Sequence, residues 1–218
     1  LNERMPLVYS GKNLHNTQIL VWQQTETLSF FLENIDLDTS DTTILDGPNK
    51  QRQINGIVLK YLLQQMVGAQ QPFKYKKDEF GKPFLINDAR FISVSHSKNT
   101  VAAILSDVPC GIDIQFFTEK VDRIATKFIN AAEFDYIKKP EESYFFHILW
   151  GAKEALYKSD GKRGLDFKRN LIVSPFNIND NGKCEGIIQK EDTRLFSIIY
   201  QKLTLDEPYL LVYSFENK

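Results

Sequence analysis

Two carboxylates and a carboxamide are the side chains of this sequence with the clearest capacity for chemistry. Asp113 and Gln115 lie two residues apart in a short apolar–polar alternation, and Glu154 follows in a later helical pattern. Mg²⁺ prefers oxygen ligands and is commonly bound by one or two carboxylates together with substrate phosphates. The set therefore indicates a hard-cation site that a phosphate ligand completes. An alternative stays open, in which Asp113 ends a strand and Glu154 forms an i,i+4 ion pair with Lys158.

Hydroxyl, imidazole and ammonium groups accompany these three residues along the chain. Such donors suit the binding of phosphate oxygens. They belong to Lys82, Ser95, His96, Ser97, Lys153 and Lys158. A serine hydrolase acting through Ser95 is a distant alternative, because no GxSxG elbow occurs. A zinc site has little support, since the histidines are scattered and Cys110 and Cys184 do not form a CxxC.

The elements that must position these residues follow from the spacing of apolar side chains. Helical periodicity predicts helices over Lys50–Met66, Val121–Lys138 and Glu141–Ser159, and residues 71–87 resemble an irregular connection. Residues 91–95 and 101–105 predict a hairpin, after which 111–115 alternates as a half-buried strand. Four later strands are expected around residues 171–173, 184–189, 195–203 and 209–215. The fold class is α+β, and we expect two similar subdomains, 1–108 and 109–218, packed face to face.

Composition narrows the classes of function. The 218 residues carry 27 Lys+Arg against 28 Asp+Glu, so no global field marks a nucleic-acid binder or a membrane-surface protein. No apolar run approaches the roughly 20 residues that a membrane-spanning helix needs. The two cysteines do not suggest a disulfide framework, which fits a reducing compartment. We therefore expect a cytoplasmic protein that holds any anionic ligand by local groups.

Five segments, taken in order, resemble the 4′-phosphopantetheinyl transferase superfamily. The strongest are GIDIQ at residues 111–115 and WGAKEALYK at 150–158, which matches W-x-x-K-E-A/S-x-x-K. The others are GKP at 81–83, SHS at 95–97, and Phe128 with Glu133. The resemblance covers about residues 45–175. The additional N-terminal half is similar to the larger, surfactin-type class, which implies an intramolecular pseudo-dimer and a monomeric protein.

The resemblance implies a magnesium-dependent enzyme that transfers 4′-phosphopantetheine from coenzyme A to a serine of an acyl or peptidyl carrier protein, releasing adenosine 3′,5′-bisphosphate. Asp113, Gln115 and Glu154 would be the metal ligands. Lys82, Pro83, Ser95, His96, Lys153, Lys158 and Arg52 would contact coenzyme A. Asp113, Glu154, Lys158 and Glu133 would serve catalysis, with Glu154 as the candidate base and Glu133 in reserve.

Gln115 departs from the commonest family pattern, which has Glu at this place. A neutral amide removes one negative charge, so the intrinsic metal affinity should be lower. The alternative function is therefore a catalytically inactive module that binds coenzyme A or a carrier protein. Phe128, Ile129 and Phe134 are candidates for a carrier-docking surface, and burial in the core is the competing reading for each of them.

Overall fold

The computed structural model describes residues 7–13, 15–35, 49–68, 73–135 and 142–217. Within them five helices form, namely α1 (Leu28–Asn34), α2 (Lys50–Val67), α3 (Glu119–Phe128), α4 (Ala131–Phe134) and α5 (Glu142–Asp160). The strands of the N-terminal half are β1 (Leu7–Asn13), β2 (Thr17–Gln23), β3 (Lys74–Lys77), β4 (Pro83–Ile86), β5 (Phe91–Ser97) and β6 (Thr100–Ser106). Those of the C-terminal half are β7 (Cys110–Phe116), β8 (Leu171–Val173), β9 (Asn181–Gln189), β10 (Thr193–Thr204) and β11 (Pro208–Glu216).

The strands form two antiparallel sheets. The first has the order β1-β2-β6-β5-β4-β3 and the second has the order β7-β11-β10-β9-β8. Helices α1 and α2 cover the first sheet, while α3 and α5 cover the second. The predicted α+β fold with two similar halves is confirmed. The first sheet ends at residue 106 and the second begins at residue 110, and the domain boundary at 108 stays a prediction.

Alternation along the strands creates three apolar layers. In β2, Ile19 and Val21 pack between the two sheets, whereas Trp22 packs against the helices of the N-terminal half. In β7, Ile112 and Ile114 likewise lie between the sheets. Because successive side chains of a strand point to opposite faces, the odd-numbered residues of β7 must face α5.

Three sequence-based predictions differ from the structure. Residues 74–77 and 83–86 pair as the antiparallel strands β3 and β4, where we expected an irregular connection. The helix predicted over Val121–Lys138 ends at Phe128, and α4 begins after Asn130, whose side chain accepts from the Glu133 N–H in a capping box. The last residues of that prediction lie outside the described chain. No strand was predicted before residue 91 and no helix before Lys50, so β1, β2 and α1 were missed as well.

None of the helices in the described residues is long and apolar enough to span a membrane.

Candidate active site between the second sheet and its longest helix

A close approach of α5 to β7 creates the site. A Cβ atom at Gly111 would lie 1.9 Å from the carbonyl oxygen of Ala155, and one at Gly151 would lie 2.6 Å from Cγ2 of Val212. No side chain fits at either distance, so both positions need glycine for the helix to lie directly on the sheet. This contact brings Glu154 and the C-terminal turn of α5 opposite the odd-numbered residues of β7.

Asp113 is bound by two donors from two different elements. Its Oδ1 accepts from Nζ of Lys158 on α5 at 2.9 Å and from Oγ of Ser95 on β5 at 3.0 Å. Lys158 also donates to Oγ of Ser95 at 2.9 Å and to the carbonyl of Ile112 at 3.0 Å. Among the described residues, the ion pair of Lys158 is with Asp113, and the alternative pair with Glu154 does not form. Three of the predicted site residues therefore meet at one carboxylate oxygen.

Glu154 lies on the same side of α5, close to Asp113. Burial raises the pKa of the Glu154 carboxyl from 4.5 to about 7, the negative charge of Asp113 adds to the rise, and Lys158 opposes it. Two carboxylates that repel each other in this way would gain from a cation placed between them. The raised pKa also brings this carboxyl into the range where general bases act near neutral pH.

Gln115 is the third predicted cation ligand and also faces α5. Its Nε2 donates to the backbone carbonyl of His147 at 3.0 Å. The amide oxygen is therefore the end of the side chain that points away from that carbonyl. Among the described residues, no group of three or more His, Cys, Asp or Glu side chains gathers as a metal site. The chemistry of two carboxylates and one amide oxygen fits a magnesium ion that keeps waters or takes substrate oxygens as further ligands.

A seam of serine side chains fixes β5 against β7 across the two halves. The N–H of Ile112 donates to Oγ of Ser93 at 3.3 Å, and the N–H of Phe116 donates to Oγ of Ser97 at 3.4 Å. Ser95 lies between them and donates to Asp113. Alternate residues of a strand share one face, so all three hydroxyls point to the same neighbour. The seam sets the position of the first half relative to Asp113.

Cations surround His96, which follows Ser95 on β5. The His96 side chain is exposed, and its imidazole pKa is still lowered: desolvation by the surrounding protein is the largest cause, the positive charges of Lys158, Arg52 and Lys77 add to it, and Asp113 opposes them. Arg52 comes from the first turn of α2 and Lys77 from the end of β3. The result is a local basic cluster, as expected for an anionic ligand in a chain of near-zero net charge.

Sequence reasoning missed Lys77, although the lysine-rich run at 74–77 beside GKP was a signal. We predicted irregular chain where the structure has an edge strand, so the sequence did not show on which side of the chain the Lys77 side chain lies.

Lys82 and Pro83 lie near the C-terminal end of α5. Lys82 Nζ donates to the backbone carbonyl of Ser159 at 2.5 Å, and burial lowers the pKa of its ammonium group. A cation at a helix C-terminus is stabilised by the carbonyls that have no partner within the helix. Pro83 lines a neighbouring cleft of about 400 Å³, together with Phe91 and Pro109. Because Ser159 follows Glu154 by five residues, Lys82 contacts α5 roughly 8 Å along the helix axis from Glu154.

The structure does not bring Lys153 and Glu133 to Asp113. Lys153 has no exposed surface, and its Nζ donates to Oε2 of Glu133 at 2.7 Å and to the carbonyls of Phe128 at 2.7 Å and Phe167 at 2.9 Å. Glu133 also accepts from the N–H groups of Asn130 and of residue 173, both at 3.0 Å. This buried pair joins α4, α5 and β8. Its geometry suits support of the site rather than contact with a ligand.

The three apolar residues considered for a docking surface differ in their exposure. Phe128 and Ile129 are 1% and 0% exposed and belong to the core of the C-terminal half, as the competing reading held. Phe134 is 37% exposed, and Arg123 and Lys127 are exposed on α3. Phe134 is therefore the one of the three candidates with a surface for a partner, and Arg123, which pairs with Glu119 at 3.0 Å, and Lys127 are cations exposed in the same half of the protein.

Comparison with known proteins shows which family this chain resembles. Residues 109–213 match the family model described as the 4′-phosphopantetheinyl transferase superfamily. The chain is 34% identical over 149 residues to the 4′-phosphopantetheinyl transferase gsp of Aneurinibacillus migulanus, which covers 66% of this chain and 60% of that protein. It is 31% identical over 112 residues to psf-1 of Bacillus pumilus, with 49% and 48% covered. For Sfp of Bacillus subtilis (strain 168), the identity is 32% over 94 residues, with 41% and 42% covered. The matches thus span 42% to 60% of the length of these relatives.

Proposed function

Because residues 109–213 belong to the 4′-phosphopantetheinyl transferase superfamily, we propose that this protein transfers 4′-phosphopantetheine from coenzyme A to a serine of an acyl or peptidyl carrier protein. The observation that carries the proposal is the meeting of Asp113, Lys158 and Ser95 opposite Glu154, at the edge of a basic cluster. A diphosphate bound together with a divalent cation needs carboxylates that hold the cation and positively charged groups that bind the phosphate oxygens. The three relatives compared above are all named as 4′-phosphopantetheinyl transferases, which supports the same reaction class.

Coenzyme A would lie along the β5 side of the site. His96, Arg52 and Lys77 would bind the 3′-phosphate, because these groups come together around one strand end. Ser95 and Lys158 would contact the diphosphate, and Lys158 would exchange its bond to Asp113 for phosphate oxygens. Lys82 and Pro83 would form part of the wall around the nucleotide. We assign Lys153 a positioning role, because its buried ammonium group donates three hydrogen bonds, to Glu133 and to two backbone carbonyls in the core.

Asp113, Glu154 and the amide oxygen of Gln115 would hold a magnesium ion. When bound, this ion would neutralise charge on the diphosphate oxygens and orient them for displacement. The raised pKa of Glu154, caused first by burial and then by the negative charge of Asp113, supports this assignment, because a cation beside the two carboxylates would offset both effects.

The chemistry that this chain supplies is mainly positioning and charge stabilisation. The carrier serine oxygen forms a bond to the β-phosphorus of coenzyme A. The bond from that phosphorus to the oxygen bridging it to the α-phosphate breaks, and the electron pair leaves with adenosine 3′,5′-bisphosphate. The serine proton would pass to the Glu154 carboxylate, which lies beside Asp113 on the face of α5 that meets β7. Glu133 is fully engaged with Lys153 and two backbone N–H groups, and would support α5 instead.

The carrier protein would dock at Phe134 with Arg123 and Lys127. All three residues are exposed, and Arg123 forms a surface ion pair with Glu119 at 3.0 Å that an acidic carrier helix would compete for.

Intact-mass spectrometry of apo carrier proteins tests the proposal directly. With coenzyme A and Mg²⁺, we expect the carrier to gain one phosphopantetheine mass, and a chelator should abolish the gain. Asp113→Ala should lose the activity, whereas the same change at exposed Asp192 should keep it. Full activity in Asp113→Ala would refute the site. Coenzyme A binding without any release of adenosine 3′,5′-bisphosphate, with every carrier tried, would favour the inactive binding module that the neutral Gln115 suggests.

A further inference from the structure

The amide of Gln115 has a defined orientation that the sequence could not show. A backbone carbonyl is only an acceptor, so the group that meets the His147 carbonyl at 3.0 Å must be the NH₂ end of the side chain. Gln115 lies on the face of β7 that α5 covers, and it is 9% exposed. The orientation is therefore held in a largely water-free contact between strand and helix.

The helix carbonyl that receives this hydrogen bond is itself braced. The ring Nε2 of His147 accepts from the backbone N–H of Thr118 at 3.0 Å, and Nδ1 lies 2.8 Å from the carbonyl of Ser143. Because Nε2 accepts, the ring proton is on Nδ1, which donates to Ser143. The ring thus connects α5 to the cap of α3 and limits movement of residue 147.

Gly151 makes the contact sterically possible. A Cβ atom at this position would lie 2.8 Å from Nε2 of Gln115, which is shorter than a van der Waals contact. The missing side chain leaves room for an NH₂ group to reach the helix backbone one turn earlier. Three features of this chain, namely a braced carbonyl, a glycine and a glutamine, therefore fit one another.

We infer that position 115 is specific for a carboxamide: the His147 carbonyl holds its nitrogen end, so that the oxygen end alone faces the cation shared with Asp113 and Glu154. This inference rests on the proposed function for the identity of the bound cation. A glutamate in the same conformation would set a carboxylate oxygen against the carbonyl oxygen of His147, where both atoms are acceptors. The neutral residue is then a matched ligand, and adding a third carboxylate should weaken the site.

The expected effect of Gln115→Glu on cation affinity is the opposite of what the change in charge alone would predict. A third negative charge should tighten a divalent cation site, whereas loss of the group that orients a ligand typically weakens metal affinity by about 10- to 100-fold. We expect Gln115→Glu to weaken Mn²⁺ binding in the presence of coenzyme A by about tenfold. Its Tm without metal should fall by about 2–4 °C, since a buried hydrogen bond is replaced by repulsion.

The experiment compares wild type with Gln115→Glu and with the control Gln189→Glu, which adds the same charge at an exposed position. Mn²⁺ affinity is measured by electron paramagnetic resonance with coenzyme A present, and Tm is measured without metal. In wild type, the ¹⁵N-labelled side-chain amide of Gln115 should show slow hydrogen exchange that persists when Mg²⁺ and coenzyme A are added.

Weaker Mn²⁺ binding and a lower Tm in Gln115→Glu, with neither change in Gln189→Glu, would support the inference. Equal or tighter Mn²⁺ binding with an unchanged Tm in Gln115→Glu would overturn it while leaving the proposed function intact. Failure of the proposed function has a different signature. If the proposed function is wrong, wild type would bind neither coenzyme A nor Mn²⁺. The assignment of Gln115 as a cation ligand would then also be wrong, even if its amide exchanged slowly.

Discussion

Replacing the candidate base should stabilise the free protein. The pKa of the Glu154 carboxyl rises from 4.5 to about 7 in the folded protein. Glu154→Gln replaces this carboxyl with an amide that is neutral at every pH. A raised pKa means that the folded state binds the proton more tightly than the unfolded state, so wild-type stability falls as pH rises from about 4.5 to about 7. Above this window the wild-type protein carries the full cost of a buried charge beside Asp113.

The size of the effect follows from the same shift. Each pKa unit corresponds to about 1.4 kcal/mol, and water reaching the partly buried side chain reduces the total, so we expect roughly 1–3 kcal/mol. For a chain of this length, each kcal/mol raises Tm by about 2–4 °C. Glu154→Gln should therefore melt at a higher temperature than wild type at pH 8 and at nearly the same temperature at pH 4.5.

Scanning calorimetry across pH, with a chelator present, is the assay. The control is Glu191→Gln, on the exposed turn between β9 and β10, which should change Tm little at any pH. Addition of Mg²⁺ and coenzyme A should reverse the order by stabilising wild type more than the variant, since ligands that bind only the native state stabilise it in proportion to their affinity. The reasoning would be refuted if Glu154→Gln were no more stable than wild type at pH 8. It would also be refuted if the variant exceeded wild type in stability by the same amount at pH 4.5 as at pH 8.

Three further predictions test the architecture and the basic cluster. Gly111→Ala should yield little folded protein, because its Cβ would overlap a helix carbonyl at 1.9 Å, whereas Gly11→Ala meets only a movable tyrosine side chain; soluble yield and Tm compare the two. Lys153→Met should cost about 3–5 kcal/mol in urea unfolding, since Glu133 is left charged and buried, and adding Glu133→Gln should recover part of that loss. By NMR, His96 should titrate below pH 6.5, and its pKa should rise when adenosine 3′,5′-bisphosphate binds; an unchanged titration would remove His96 from the phosphate site.

The sequence by itself determined the family resemblance, the α+β class and the residues that share a strand face. Alternation in 111–115 was sufficient to put Asp113 and Gln115 on one side, because the period of a strand is two. Helical spacing likewise predicted the helix that carries Glu154 and Lys158. These are local properties, and each is fixed by residues within a few positions of one another.

Only the tertiary structure decided which neighbours those side chains meet. Lys153 and Glu154 are adjacent in the sequence, yet consecutive helical residues point about 100° apart, so one enters the core beside Glu133 while the other faces Asp113. The same holds for Lys77, whose contribution to the basic cluster depends on an edge strand pairing with β4. The hydrogen bond that orients Gln115 requires a helix carbonyl from residue 147, brought near by two glycines. Long-range packing sets such contacts, and no local pattern encodes the distance between a strand and the helix that later covers it.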